Sequence, residues 1–137
     1  MNRAAPFLIA AACAVLGAGP AAAQDPQAVV RAYAEAANRG DLDGFVGLYA
    51  PDVRKFRFPG TLTSEGREHA RAVYAKSFAE KSGIKVEILD VMVLGDKVVA
   101  RDRVTGLPDG KTAEELTVYQ VKDGLITNVV YVERLTH

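Results

Sequence analysis

Few residues in this chain belong to the types that do chemistry unaided. His69 and His137 are the two histidines, and Cys13 is the one thiol. His69 falls near the start of a helical pattern on its polar side, and His137 is the last residue. No H-E-x-x-H or paired-histidine spacing occurs, so an imidazole metal site is not expected. There is no G-x-S-x-G, no phosphate-cradling glycine loop and no dinucleotide fingerprint, and no cofactor is expected. Acid–base work would therefore rest on a carboxylate whose environment shifts its pKa, and the fold decides which one that is.

The 137 residues are 49% hydrophobic and 25% charged, which suits one globular domain. Seventeen basic residues balance seventeen acidic ones, with no long run of one sign. Nucleic acid and anionic membrane surfaces both call for a basic excess, so neither is an expected partner.

Residues 1–23 read differently from the rest. Arg3 is followed by the apolar run FLIAAACAVL, then by GAGPAAA with Ala21-Ala22-Ala23 as a small-residue cleavage site. That order is a secretory signal peptide, and Gly17, Gly19 and Pro20 cut the apolar run below what a membrane span needs. Cys13 lies inside this segment without the upstream leucine of a lipoprotein signal, Ala10 standing there instead. Cleavage after Ala23 leaves a thiol-free domain, residues 24–137, that is periplasmic or secreted and keeps no membrane attachment. N-terminal sequencing of the exported protein should then read Gln24 first, and an uncleaved membrane-bound chain would contradict it.

Asp25-Pro26 is a helix start, with Val29, Val30, Tyr33, Ala36 and Ala37 at helical spacing before Gly40. Asp41 caps a second helix with Leu42, Phe45, Leu48 and Tyr49 on one face, ended by Pro51. VRKFRFPG (53–60) alternates as a strand, with Val53, Lys55 and Arg57 against Arg54, Phe56 and Phe58, and a loop to Gly66 follows. A third helix spans roughly 67–81, with Ala70, Val73, Tyr74, Ser77 and Phe78 on one side. Four strands follow: IKVEILDVMVL, whose change of phase marks a bulge, then VVARDRVTG, TAEELTVYQV and LITNVVYVER. The expected class is α+β: three helices over one face of a strongly curved, mainly antiparallel sheet, with a hollow at its mouth.

VVRAYAEAANRGDLDGFVGLYAPD, GREHARAVYAKSF and VYQVKDGLITNV together resemble the nuclear transport factor two superfamily, with its SnoaL-like and ketosteroid-isomerase-like cone folds. The resemblance covers nearly all of residues 24–137, and members include isomerases, dehydratases, cyclases, ligand binders and dimerisation scaffolds. Ketosteroid isomerases carry a tyrosine on the first helix, a carboxylate base on the first strand and a protonated acid on the penultimate strand. Eight residues before Asp41 stands Tyr33, the tyrosine; sixteen after it stands Arg57, where the base would be; the acid's place falls near Thr117. A guanidinium, with a pKa above about 12, does not abstract a proton from carbon, so isomerisation by that route is not expected.

The resemblance also sets the strand phase. With Tyr119 inward, Thr117 and Glu115 follow, and so do Val129, Tyr131 and Glu133 on the last strand. Arg101, Arg103 and Thr105 are placed inward on the strand before. The expected ligand pocket holds Tyr33, Arg57, Arg101, Arg103, Thr117, Tyr119 and Tyr131, with Glu133 and Asp102 as the carboxylates that could act as catalyst. The leading expectation is an exported binder of a small organic molecule. An enzyme using another carboxylate is the second, and a homodimeric module without a ligand the third. Ile126, Val130 and Val132 on the opposite face of the last strand predict a homodimer through the outer sheet face.

Overall fold

The computed structural model describes residues 25–80 and 83–137, so the signal-peptide reading lies outside the described residues. Helix α1 is Pro26–Arg39 and α2 is Leu42–Gly47. Strands β1 (Tyr49–Arg57) and β2 (Thr61–Glu65) precede α3 (Arg67–Ala79). Strands β3 (Lys85–Leu94), β4 (Lys97–Thr105), β5 (Ala113–Lys122) and β6 (Leu125–Thr136) complete one six-stranded sheet in the order β2-β1-β6-β5-β4-β3. Only the β1–β6 pair is parallel; the other pairs run antiparallel. Among the described residues, no helix is long and apolar enough to cross a membrane.

The α1–α2 junction follows from four residues. Gly40 sits at φ 69°, and its N–H reaches the carbonyls of Ala36 and Ala37, which closes α1. The Asp41 carboxylate accepts from Gly44 N at 2.8 Å and opens α2. Gly44 is glycine for a local reason: a Cβ there would lie 2.2 Å from Asp41 Oδ2. Asn38 lends its amide to the exposed edge of β3, donating to Val86 O (2.8 Å) and accepting from Val86 N (2.7 Å).

Two elements depart from the sequence expectation. The second helix stops at Gly47 rather than at Pro51, because Tyr49 is drawn into the sheet, where it is fully buried. Pro51 lies within β1, where the pairing to β6 jumps from Tyr49↔Ile126 to Arg54↔Asn128; a residue without an N–H fits that unpaired bulge. Residues 61–65, expected as loop, pair with β1 as a strand. Their side chains are almost all exposed, so no apolar alternation announced them. The phase change in β3 is a bulge between Ile88 and Asp90.

Bulges also re-aim β6. Between Gln120 and Val121 the register slips, which turns Ile126 into the core at 0% exposed. A second slip at Leu116/Thr117 carries Val132 to the rim of the interior hollow. Of the three residues expected on the outer face of β6, Val130 alone stays there, opposite Val118.

The capping geometry has a direct test. Asp41→Ala should lower stability by about 1 kcal/mol, the usual worth of an N-cap. Gly44→Ala should cost a similar amount by displacing the Asp41 carboxylate, whereas Gly47→Ala, with open space at its Cβ, should not destabilise. Urea denaturation of the three variants reads this out, and an unaffected Gly44→Ala would contradict it.

Candidate functional site

The concave sheet face and helices α1 and α3 enclose a cavity of about 1020 Å³. It is a hollow of ligand size rather than a space filled by the protein's own side chains. Tyr33 enters it from α1, Tyr74 from α3, Asp102 from β4, Tyr119 from β5 and Tyr131 from β6. Tyr33 is fixed by stacking on Phe45, with ring centroids 4.2 Å apart, and by an edge contact to Tyr119 at 5.9 Å.

All five tyrosines of the chain gather here, and four of them share one hydrogen-bonded cluster around Lys55. Lys55 Nζ donates to Tyr49 Oη at 2.7 Å and to Tyr74 Oη at 3.2 Å. Tyr49 meets Tyr33 at 2.6 Å, and Tyr74 meets Tyr131 at 3.3 Å. An ammonium only donates, so each phenol oxygen beside it is an acceptor. The arrangement that leaves no buried hydroxyl hydrogen unpaired has Tyr49 donating to Tyr33 and Tyr74 to Tyr131. Tyr33 and Tyr131 then turn their own hydroxyl hydrogens toward the cavity.

Burial raises the pKa of Tyr33, Tyr49, Tyr119 and Tyr131. Burial would also raise that of Tyr74, but the Lys55 charge, and hydrogen bonds that Tyr131, Lys55 and Tyr33 can turn toward its oxygen once it ionises, outweigh burial and bring Tyr74 below the usual value. Burial lowers the pKa of Lys55 itself, opposed by its contact with Tyr74.

Asp102 lies on the opposite wall. It is 5% exposed, and its Oδ1 has no hydrogen-bond partner among the described residues. Burial first, then the charge of its cross-strand neighbour Glu115, pushes its pKa from 3.8 up to about 6. A carboxyl group titrating there can hold or release a proton near neutral pH.

The β4–β5 register decides which expectations hold. Val98 faces Tyr119, Ala100 faces Thr117 and Asp102 faces Glu115, so these three residues of β4 point inward. Arg101 and Arg103 consequently lie on the outer face, contrary to their expected place in the pocket. There Arg101 pairs with Asp90 (2.5 Å) and Glu114 (3.4 Å), and Arg103 with Glu87 (3.6 Å) and Glu114 (3.9 Å). Thr117 points inward but is covered, at 1% exposed, and does not line the cavity. Tyr33, Tyr119, Tyr131 and Arg57 line it as expected, Arg57 as an exposed residue near the mouth. Glu133 is exposed at the rim, with one oxygen accepting from Arg134 N at 3.1 Å, so Asp102 is the stronger carboxylate. Lys55, Tyr49 and Tyr74 were not singled out from the sequence. Strand period alone places Lys55 on the face of Arg57 and Val53, and that signal was available. Among the described residues, no group of three His, Cys, Asp or Glu side chains is arranged to hold a metal ion.

A curved sheet closed by three helices around a polar-floored hollow defines the cone-fold class. The SnoaL-like domain family model matches residues 30–129, and the chain belongs to that family. An uncharacterised cystatin-fold protein of Novosphingobium aromaticivorans superposes with a TM-score of 0.71 at 25% identity, over 80% of this chain and 99% of that one. A candidate polyketide cyclase of Streptomyces antibioticus gives 0.63 at 25%, over 82% and 92%. A candidate ketosteroid isomerase of Kribbella flavida gives 0.63 at 21%, over 78% and 76%, a likeness of fold alone. No curated protein matches the chain in sequence.

The Asp102 environment has a consequence for stability. With a folded pKa near 6 against 3.8, the folded state holds the proton more tightly than the unfolded chain. Stability from this group is therefore greatest at low pH and falls as pH rises from about 4 to about 6. The full difference corresponds to at most about 3 kcal/mol, less after partial solvent screening. Asp102→Asn should lose that pH-dependent fall and be more stable than wild type at pH 8, by roughly 1–2 kcal/mol. Denaturation curves between pH 4 and pH 8 measure it, and parallel curves for the two proteins would contradict it.

Proposed function

We propose that the cavity binds a small, largely apolar organic molecule bearing a carbonyl oxygen, and that Asp102 acts on it as a general base and then as the returning acid. The observation that carries this reading is Asp102 on the cavity wall, a buried carboxylate whose Oδ1 has no hydrogen-bond partner among the described residues. A carboxylate left without a hydrogen bond is costly unless its environment is completed by something else. A C–H acid or hydroxyl of a ligand would complete it.

The tyrosine floor supplies the other half of such chemistry. Tyr33 offers a hydroxyl hydrogen to a ligand oxygen, and Lys55, through Tyr49, stabilises charge that builds on that oxygen. When Asp102 removes a proton beside the carbonyl, the electron pair moves onto the oxygen as an enolate. The protonated Asp102, with its raised pKa, can return the proton to the same or a neighbouring carbon. The outcome is enolisation, isomerisation or ring closure through an enolate, according to the ligand. Similarity to a candidate polyketide cyclase supports this class of substrate without naming one. Arg57 near the mouth can attract an oxygen-rich or anionic end of the ligand.

The test is exchange of α-hydrogens for deuterium, followed by NMR, on a panel of cyclic and aryl ketones and 1,3-diketones. Exchange should rise with pH through about 6 and then level, as an ionised Asp102 requires. Asp102→Asn should remove that step and slow exchange by about 10²–10⁴-fold, the range for loss of a general base. Tyr33→Phe should weaken ketone binding by roughly 0.5–1.5 kcal/mol. Exchange by wild type no faster than by Asp102→Asn across the panel would overturn the enzymatic reading.

A further inference from the structure

Lys55 raises a question that the main cavity does not answer. It is 4% exposed, and two of its three N–H bonds go to phenol oxygens. Its ammonium also lies 4.3 and 4.4 Å from the ring centres of Tyr49 and Tyr74. Among the described residues, no carboxylate lies within ion-pair distance of it. Buried ammonium groups are ordinarily paired, because neutral dipoles compensate only part of the lost hydration.

The amine does not line the main cavity. Lys55 lines a smaller one, of about 220 Å³, between β1, β2 and α3, with Ser64, His69, Val73, Tyr74 and Tyr131 in its wall. We propose that this side cavity is a second ligand site, in which the Lys55 ammonium receives a carboxylate group. The space exceeds several times the roughly 30 Å³ share of one water, so a carboxylate with a short carbon chain fits. Ser64 and His69 bring further hydrogen-bonding groups, and Ala70 and Val73 give an apolar wall for the chain. Among the described residues Lys55 is the only lysine or arginine in the lining, which matches a monoanion and leaves a phosphate dianion half-neutralised.

The carboxylate has two possible sources, a free short-chain acid or the acid end of a larger ligand whose body occupies the main cavity. Both cavities share Thr63, Tyr74 and Tyr131 in their walls. The site does not depend on Asp102, so it stands or falls apart from the reaction proposed above.

The chain has five tyrosines and no tryptophan, which leaves the ultraviolet phenolate band free of indole absorbance. In wild type without added acid, one phenol, Tyr74, should ionise below the others, because Lys55 favours its phenolate. Saturating acetate, compared with chloride at equal ionic strength, should move that step to higher pH, since the bound anion takes up the Lys55 charge. Acetate should also raise the melting temperature in a saturable way. Lys55→Met should bind acetate about ten-fold more weakly or worse, the loss expected for one charge-assisted hydrogen bond. The acetate–chloride comparison on wild type needs no variant, so the proposal remains testable if Lys55→Met does not fold. With 3-phenylpropionate in place of acetate, equal affinity marks a free short acid. Tighter binding that competes with a ketone marks the acid end of a main-cavity ligand. Acetate indistinguishable from chloride, acetate binding unchanged in Lys55→Met, or inorganic phosphate bound more tightly than acetate would each overturn the proposal.

Discussion

The pairing of β4 with β5, which sets Val98 against Tyr119 and Asp102 against Glu115, governs most of what this molecule can do. A strand has only two faces, and one step of slip would exchange them. In the register observed, Val98 and Ala100 pack under the tyrosines, Asp102 enters the hollow, and Arg101 and Arg103 meet the acids of neighbouring strands in solvent. The opposite register would bury two guanidinium groups against the apolar underside of α1. That cost fixes the register, and the register delivers a carboxylate to the cavity.

Two ionisable groups thus lie inside one small fold without forming a pair. Lys55 is surrounded by phenols, which accept its hydrogen bonds and present its charge to its neighbours. Asp102 has a carboxylate neighbour and an unpartnered oxygen, so its charged form is disfavoured. The first arrangement is suited to stabilising negative charge on an oxygen placed beside it; the second yields a carboxyl group able to exchange protons near neutral pH. Had the two been in contact, they would have formed a structural ion pair with little left to offer a ligand. Keeping them apart is unfavourable for stability, as is common at functional sites.

The fold was legible where local chemistry and periodicity agreed. Asp25-Pro26, Gly40 and Asp41 marked helix ends that the structure keeps, and the phase change across Ile88 to Asp90 marked a true bulge. Strand β2 was not legible, because an exposed edge strand has no apolar face to reveal it. Of the site, Tyr33, Tyr119, Tyr131 and Arg57 could be placed from the family resemblance. The β4 residues could not, since period two says which residues share a face and not which face turns inward. The tyrosine–lysine cluster escaped because Tyr49 and Lys55 of β1 meet Tyr74 only through the packing of α3 against that strand. The bulge in β1 that seats Tyr49 has no signature beyond Pro51.

The most direct measurement is an NMR titration of the protein labelled with ¹³C at aspartate side-chain carboxyls, with Asp102→Asn identifying the resonance. A buried Asp102 on the cavity wall should titrate near 6, well apart from the exposed aspartates, and its midpoint should move when a ketone occupies the cavity. A midpoint close to 3.8 that is indifferent to ligand would mean that Asp102 is solvated and takes no part in a site.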